Sequence, residues 1–304
     1  MANDYDLGGR VAVVTGGAGL IGAGIAAVLA QRGARVLVVD LDERRAQAVA
    51  REISAAGGIA AAVAADVGDE AGVERAFARA DALGAGGAGD SDGVGGVSDV
   101  GDESGVGGMD GVGGVGGASG AGAGVGVLVN CAAPVALALR EQPAERLRVE
   151  TWDEMIRVTL RGTMLCSRAA LRRMVPAGGG AIVNISSIHA YAGDLALVAY
   201  PVAKAGIIAL TRAIATQYGR SGIRCNAVCP GTIPPPGLPA ADLDRRLRHQ
   251  AIERPGNPDD VAQAVAYLAG PAASFITGQA LVVDGGVLCH LPSYADGGHV
   301  QASG

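Results

Sequence analysis

The sequence predicts an α/β domain with one doubly wound, seven-stranded, mostly parallel sheet and helices on both of its faces. Short apolar runs, such as residues 11–14 and 35–40, alternate with longer segments of helical character. These runs do not alternate with polar residues, which is typical of strands that are buried on both faces of a parallel sheet. Polar residues follow directly after several of the runs, at the edge where open parallel sheets bind their ligands.

The elements follow each other in strand–helix order along the chain. Apolar runs rich in Val, Ile and Ala predict strands at residues 11–14, 35–40, 59–65, 125–130, 181–185, 223–228 and 280–283. Longer segments with helical periodicity, the second of them amphipathic and rich in Arg, Glu and Ala, predict helices at residues 21–31, 42–56, 69–83, 152–174, 198–218 and 258–269.

Composition sets the segment at residues 84–126 apart from the rest of the chain. It contains 20 glycines and six acidic residues, and none of its residues is basic. Such a segment cannot bury enough apolar surface to offset the entropy of ordering it. We therefore expect a single domain over residues 1–304, interrupted by a disordered insert without catalytic function and followed by a tail at 287–304. A partner-binding tether is the alternative for the insert.

The charge balance argues against a nucleic-acid partner and against an anionic membrane surface. The 304 residues include 24 basic and 30 acidic side chains, and six of the acidic ones lie in the insert. The rest of the chain is therefore neutral, whereas surfaces that bind nucleic acid are basic.

The N-terminus and the cysteines indicate a cytoplasmic protein. Residues 1–6 are acidic and lack the basic start and apolar stretch of a signal peptide. The uncharged stretch at 11–31 holds five glycines in a loop pattern, so we expect a strand, a turn and a helix there and no membrane span. The five scattered cysteines are expected to be reduced thiols in the core, ahead of disulfides or zinc ligands, and no metal site is expected.

A glycine-rich loop after the first strand indicates a nucleotide cofactor. Residues 15–22 read Thr-Gly-Gly-Ala-Gly-Leu-Ile-Gly and lead into the first helix, whose free N–H groups favour a pyrophosphate. Asp40 ends the second strand, where an acidic residue accepts hydrogen bonds from the ribose hydroxyls of NAD. Arg44 and Arg45 leave NADP open, and a helix N-cap is the alternative role for Asp40.

The segment Tyr-Pro-Val-Ala-Lys at residues 200–204 supplies an acid–base pair. Tyr200 and Lys204 lie one helical turn apart on the same face. Reduction of a carbonyl needs a proton donor at its oxygen, and a phenol can exchange that proton near neutral pH when a cation stabilises the phenolate. Lys204 is the only lysine among the 24 basic residues, which indicates that an arginine cannot replace it here.

Together these motifs resemble the short-chain dehydrogenase/reductase family in its compact, single-domain branch. The likeness covers residues 7–83 and 125–286 and implies a Rossmann fold. Residues 66–67 match the pair that holds the adenine ring, and residues 230–233 match the segment beside the nicotinamide. The cofactor-binding residues implied by the resemblance are Thr15, Gly16, Gly19, Leu20, Ile21, Gly22, Asp40, Asp66, Val67, Asn130, Ala132, Tyr200, Lys204, Pro230, Gly231 and Ile233.

The resemblance also implies the catalytic set. Ser187 precedes Tyr200 by the family's spacing, and its hydroxyl is expected to polarise the substrate carbonyl, whereas Ser186 is expected to make a structural hydrogen bond. Thr159 stands where the family has an Asn that holds a proton-relaying water. Because a Thr side chain is shorter and has one donor, we expect a weakened relay and a functional enzyme.

Three segments besides Thr159 depart from the family pattern. Leu20 replaces a loop glycine, residues 130–133 read Asn-Cys-Ala-Ala instead of Asn-Asn-Ala-Gly, and Pro235 replaces a Thr near the nicotinamide. Together with Thr159, these departures support the alternative of a weakly active, cofactor-binding sensor or scaffold. The catalytic Ser, Tyr and Lys oppose that alternative.

The expected activity is an NAD-dependent interconversion of a secondary alcohol and a ketone, with a small alcohol or carbonyl compound as substrate. His189 and Tyr191 follow Ser187 and are candidates to contact it. A 3-oxoacyl-thioester reductase that uses NADPH is the alternative. The resemblance also implies a homodimer or homotetramer, packed through the helices at 152–174 and 200–218 and the last strand.

Overall fold

A single parallel sheet forms the centre of the protein. The computed structural model describes residues 6–86 and 124–291. Within these ranges seven strands pair in the order β3-β2-β1-β4-β5-β6-β7, and every neighbouring pair is parallel, which confirms the predicted fold class. The strands are β1 (Val11–Thr15), β2 (Arg35–Asp40), β3 (Ile59–Ala64), β4 (Val125–Asn130), β5 (Gly180–Ile185), β6 (Ile223–Pro230) and β7 (Ala280–Val283).

The described residues also form nine α-helices. They are α1 (Leu20–Gln31), α2 (Glu43–Ala55), α3 (Glu70–Ala85), α4 (Val135–Ala138), α5 (Val149–Met155), α6 (Gly162–Met174), α7 (Ala199–Tyr218), α8 (Ala240–Leu247) and α9 (Pro258–Ala269).

Residues 152–174 are helical, as predicted, but they are not α-helical throughout. A π-helical turn, Ile156–Arg161, separates α5 from α6 and carries Thr159. Gly162 follows this turn and packs closely on the segment between β3 and α3, since a Cβ there would lie 2.8 Å from Val67 Cγ2. Short π-helical segments occur mostly as insertions within α-helices, often at functional sites.

Apolar side chains cover both faces of the sheet. Val14 and Val38 belong to a buried cluster with α1 and α9, and Val13 and Leu37 belong to a second cluster with α3 and α6. Neighbouring residues of one strand thus face opposite clusters, which explains why the strands are apolar throughout. Each fully buried Val or Leu contributes about 1.5–3 kcal/mol to folding.

The strand order reverses between β1 and β4, and this reversal creates the crevice for the site. From β1 the chain continues through β2 and β3 on one side of the sheet, and it returns to pair β4 on the other side. Crossover helices therefore leave the carboxyl ends of β1 and β4 in opposite directions. Thr15, Asp40, Asn130 and Pro230 each end a strand at this edge, and Ser186 directly follows one.

The glycine-rich insert begins and ends far from this edge. Helix α3 extends to Ala85 and β4 starts at Val125, so the outer residues of the predicted insert belong to regular elements. Gly124, which precedes β4, accepts a hydrogen bond from the backbone N–H of Val11 at the amino end of β1. The rest of the insert and the tail from residue 292 onward lie outside the described residues.

The five cysteines are all free thiols, but they are not all in the core. Cys166, Cys225 and Cys229 are buried, whereas Cys289 is exposed. Burial raises the pKa of the Cys166 and Cys225 thiols to about 12, so both are protonated and unreactive at neutral pH. Among the described helices none is long and apolar enough to cross a membrane.

Candidate cofactor and catalytic site

The loop from Thr15 to Gly22 is a backbone cradle at the start of α1. Gly16 has a φ of 62°, and a Cβ there would lie 2.8 Å from Ala132 Cα. A Cβ on Gly22 would overlap the Gly16 carbonyl oxygen. The cap residue Gly19 contributes no side-chain hydrogen bond, and the first turn of α1, from Leu20 onward, has no acidic residue. These features suit a pyrophosphate at a helix N-terminus.

Asp40 reaches back to the glycine loop. Its Oδ2 accepts a hydrogen bond from the Ala18 backbone N–H at 3.0 Å. Asp40 is not the N-cap of α2, because Asp42 has that role and accepts from the Arg45 N–H. The Arg45 guanidinium donates to the Ala18 carbonyl at 2.6 Å, so one cation and one anion lie beside the same loop residue.

Asp66 and Val67, the residues predicted to hold the adenine ring, follow β3. Asp66 also has an ion-pair partner that the sequence did not indicate. Its Oδ2 lies 2.9 Å from an Arg157 guanidinium nitrogen, and its Oδ1 accepts the Gly68 N–H at 2.8 Å. Hydrogen bonds with Glu154 and then Asp66 raise the pKa of Arg157 above its ordinary value. No local sequence pattern links Arg157 to Asp66, because Asp66 follows β3 whereas Arg157 lies between β4 and β5.

Thr15 and Asn130 tie the ends of β1, β4 and β5 together. Thr15 Oγ1 accepts hydrogen bonds from the backbone N–H groups of Cys131 and Ala132 at 3.2 and 3.4 Å. The Asn130 amide donates to Asn184 Oδ1 at 2.8 Å, and its own Oδ1 is buried without a hydrogen-bond partner. A buried acceptor of this kind costs about 1–3 kcal/mol unless a donor reaches it, which is consistent with a polar ligand in the crevice.

The end of β6 lies against the last strand. The Gly231 N–H donates to the Val283 carbonyl at 2.9 Å, and a Cβ on Gly231 would lie 2.7 Å from Asp284 Cα. Pro230 is buried, and Ile233 is partly buried beside the core cluster of α1 and α9. This segment is therefore fixed at the same edge of the sheet as the glycine loop.

Three of the four residues predicted to be catalytic lie near the carboxyl end of β5. The Lys204 ammonium is buried, donates to the Ile185 carbonyl at 2.8 Å, and lies 5.5 Å from the centre of the Tyr200 ring. The Ser186 hydroxyl donates to the Lys204 carbonyl at 2.8 Å, a structural hydrogen bond of the kind expected for it. Ser187, the next residue, is buried.

His189 connects Ser187 with Tyr200. Its Nδ1 lies 3.2 Å from Ser187 Oγ, and its backbone N–H donates to the same oxygen at 3.2 Å. Its ring meets the Tyr200 ring edge-on at 5.9 Å between centroids, and its Nε2 lies 3.5 Å from Asp194 Oδ2. The Ala196 backbone N–H and then the His189 charge hold the pKa of Asp194 below its ordinary value. Tyr191, the other substrate candidate, is half exposed.

Thr159 is buried in the π-helical turn. Its hydroxyl donates to Met155 Sδ at 3.4 Å, and its carbonyl accepts from the Thr163 hydroxyl at 2.7 Å. The helix is thus interrupted at this position without an Asn side chain.

Comparison with known proteins shows which family the chain resembles. A family model described as short chain dehydrogenase matches residues 10–85, and one described as Enoyl-(Acyl carrier protein) reductase matches residues 115–288. The cis-4-hydroxycyclohexanecarboxylate dehydrogenase of Sinomonas cyclohexanicum is 40% identical over 280 residues, which cover 91% of this chain and 96% of that protein.

The chain belongs to the short-chain dehydrogenase/reductase family.

Other members with broad coverage differ in their reported substrates. The D-threitol dehydrogenase of Mycolicibacterium smegmatis is 34% identical, with 93% of this chain and 94% of that protein covered. A structure from Agrobacterium tumefaciens, described as a 2-deoxy-D-gluconate 3-dehydrogenase with bound NADP, matches with a TM-score of 0.75 and 26% identity over 95% of this chain and all of that one. The family's chemistry makes this protein an oxidoreductase of CH–OH groups.

A Cβ at Gly22 should weaken cofactor binding. We expect Gly22→Ala to lower the affinity for NADH at least about tenfold, or about 1.4 kcal/mol, because the methyl group displaces the Gly16 carbonyl from the cradle. Fluorescence titration of the folded variant measures the affinity. Gly219→Ala is the matched control, since a Cβ there meets nothing within 4 Å. Native NADH affinity in a folded Gly22→Ala variant would contradict the assignment of the cradle.

Proposed function

We propose that this protein is an NAD(H)-dependent oxidoreductase that interconverts a secondary alcohol and a ketone. The observation that carries the proposal is that Tyr200 lies beside the buried Lys204 ammonium at the carboxyl end of β5. The His189 ring contacts both Tyr200 and Ser187 and thus links the third residue to this pair.

In this proposal Tyr200 is the proton donor in reduction and the base in oxidation. Lys204 supplies the positive charge that stabilises the phenolate and keeps its own position through the Ile185 carbonyl. The bound nicotinamide supplies or accepts the hydride. In reduction one proton moves from Tyr200 to the carbonyl oxygen, and in oxidation one proton moves from the alcohol hydroxyl to the Tyr200 phenolate.

Ser187 orients the substrate oxygen. Its Oγ accepts the His189 backbone N–H and lies 3.2 Å from His189 Nδ1. In the tautomer that carries the proton on Nδ1, the hydroxyl hydrogen is free to donate to the substrate carbonyl. The His189 ring lies against both Ser187 and Tyr200, which supports its assignment as a substrate contact.

NAD is proposed ahead of NADP because of Asp40. Its carboxylate follows β2 and lies at the Ala18 end of the glycine loop, where it favours free ribose hydroxyls and repels a 2′-phosphate. The Arg45 guanidinium at Ala18 is the feature that favours NADP, and the solved relative with NADP bound is consistent with that alternative.

A hydroxyacyl or oxoacyl thioester is the second candidate substrate class. The (3R)-3-hydroxyacyl-CoA dehydrogenase of Mus musculus is 32% identical, with 94% of this chain and 99% of that protein covered. The same catalytic residues suit both classes, so substrate turnover must decide between them.

Replacing Tyr200 by Phe should abolish the reaction without removing the cofactor. We expect kcat to fall about 10²- to 10⁴-fold because the proton donor is lost, while NADH still binds. NADH oxidation is measured against ketones, keto-sugars and 3-oxoacyl thioesters. Tyr218→Phe, at the other end of α7, is the matched control. Native turnover in Tyr200→Phe would contradict the mechanism, and bound NADH without turnover in the native protein would favour a sensor.

Asp40 should set the choice of cofactor. We expect Asp40→Ser to lower the ratio of kcat/KM for NADH to that for NADPH at least about tenfold, because the charge that repels the 2′-phosphate is removed. Asp42→Ser is the control, because Asp42 lies two residues from Asp40 and Ser is an equally good N-cap for α2. An unchanged ratio, or a native preference for NADPH, would contradict the proposal.

We also propose that the protein is a homodimer or homotetramer packed through α6 and α7. These helices leave a groove of about 560 Å³, and its lining combines the apolar Met164, Leu171, Val175, Leu210 and Ile214 with Arg168 and Arg172. Sedimentation velocity at micromolar concentration should give a dimer or tetramer, and Met164→Arg should shift it toward the monomer. Leu195→Arg, on an exposed loop, is the control. A monomeric native protein would exclude the assembly.

A further inference from the structure

The helix that carries Tyr200 starts without a cap of its own. Val198 is the N-cap residue of α7, and its side chain has no acceptor for the first-turn N–H groups. Pro201 has no N–H, so the donors at this end are the backbone N–H groups of Val198, Ala199 and Tyr200. A helix end buried without acceptors would be strongly destabilised.

One side chain from a distant segment accepts all three hydrogen bonds. Glu141 Oε2 lies 2.7 Å from the Val198 nitrogen and 2.8 Å from the Ala199 nitrogen, and Glu141 Oε1 lies 3.0 Å from the Tyr200 nitrogen. Glu141 thus replaces the missing local cap and contacts the backbone of the proton donor itself.

The carboxylate of Glu141 is held in place and kept from water. Glu141 is 4% exposed, and its backbone N–H donates to the Ala138 carbonyl at the end of α4. Ala138 belongs to a small buried cluster that also contains Ala199 and packs against Tyr200. A buried acid in this position is fixed relative to the first turn of α7, and it lies where the helix dipole favours a negative charge.

We propose that Glu141 is a positioning residue of the reaction. Its carboxylate fixes the first turn of α7, so that Tyr200 keeps its place relative to Lys204 and Ser187 during turnover. Glu141 contacts neither substrate nor cofactor in this role. The inference rests on the proposed function, because positioning has a catalytic effect only if Tyr200 transfers the proton.

Two substitutions separate positioning from folding. Glu141→Gln keeps the shape and one acceptor oxygen but turns an N–H₂ group toward a backbone N–H, and Glu141→Ala removes every acceptor. Glu145→Gln is the matched control, because Glu145 lies on the same connecting segment, is exposed and pairs only with its neighbour Arg146 among the described ion pairs. All variants are compared well below their melting temperatures.

The test combines hydrogen exchange with steady-state kinetics. In Glu141→Gln we expect faster amide exchange at residues 198–200, a kcat lowered on the order of 10- to 100-fold, and an NADH affinity within about twofold of the native value. Glu141→Ala should lower kcat further, and Glu145→Gln should match the native protein in every measurement. A graded loss of kcat at constant cofactor affinity supports positioning, since partial unfolding would weaken cofactor binding as well.

Three outcomes would overturn the inference. Native kcat in Glu141→Gln together with faster exchange at 198–200 would show that the cap is structural only. Native exchange rates in Glu141→Gln would show that the hydrogen bonds do not hold the turn. Native turnover in Tyr200→Phe would remove the proposed function itself, and this failure is distinguishable because it involves no change at Glu141.

Discussion

Parallel strands all end at one edge of their sheet, and in this protein the polar residues of the site take their positions from that edge. Thr15, Asp40 and Asn130 end β1, β2 and β4, and Ser187 lies two residues beyond β5. The reversal of strand order beside β1 opens the crevice between them. The site is therefore a consequence of the sheet topology as much as of the motifs.

Hydrogen bonds between buried polar groups stabilise this edge, because these groups have no access to water. Asn130 bonds Asn184 across β4 and β5, and Asn184 bonds the Thr211 hydroxyl on α7 at 2.9 Å. Lys204 reaches the Ile185 carbonyl, so the same helix is joined to β5 twice. Burying such groups unpaired would cost several kcal/mol, and pairing them across elements fixes α7 against the sheet.

The departures from the family pattern are accommodated locally. Leu20 is partly exposed at the start of α1, so its side chain does not fill the cradle formed by Gly16 and Gly22. The interruption between α5 and α6 forms with Thr159 in place of an Asn, and Thr159 satisfies its hydroxyl on Met155. These substitutions leave the grouping of Tyr200 with Lys204 intact.

Local pattern by itself predicted the fold class, the order of the elements and the pair Tyr200 and Lys204, and the resemblance to the family added Ser187. Local pattern was sufficient because buried parallel strands are apolar throughout and because the two residues of the pair are a single helical turn apart. It did not determine the π-helical turn, the ion pair of Asp66 with Arg157, the contact of His189 with Ser187 and Tyr200, or the cap that Glu141 gives to α7. A π-helical turn barely changes the apolar periodicity of the segment around it. Arg157 contacts a residue 91 positions away in the sequence, and Glu141 contacts residues 57–59 positions away. Only the folding of the chain brings these partners together. Tertiary structure alone decided those contacts.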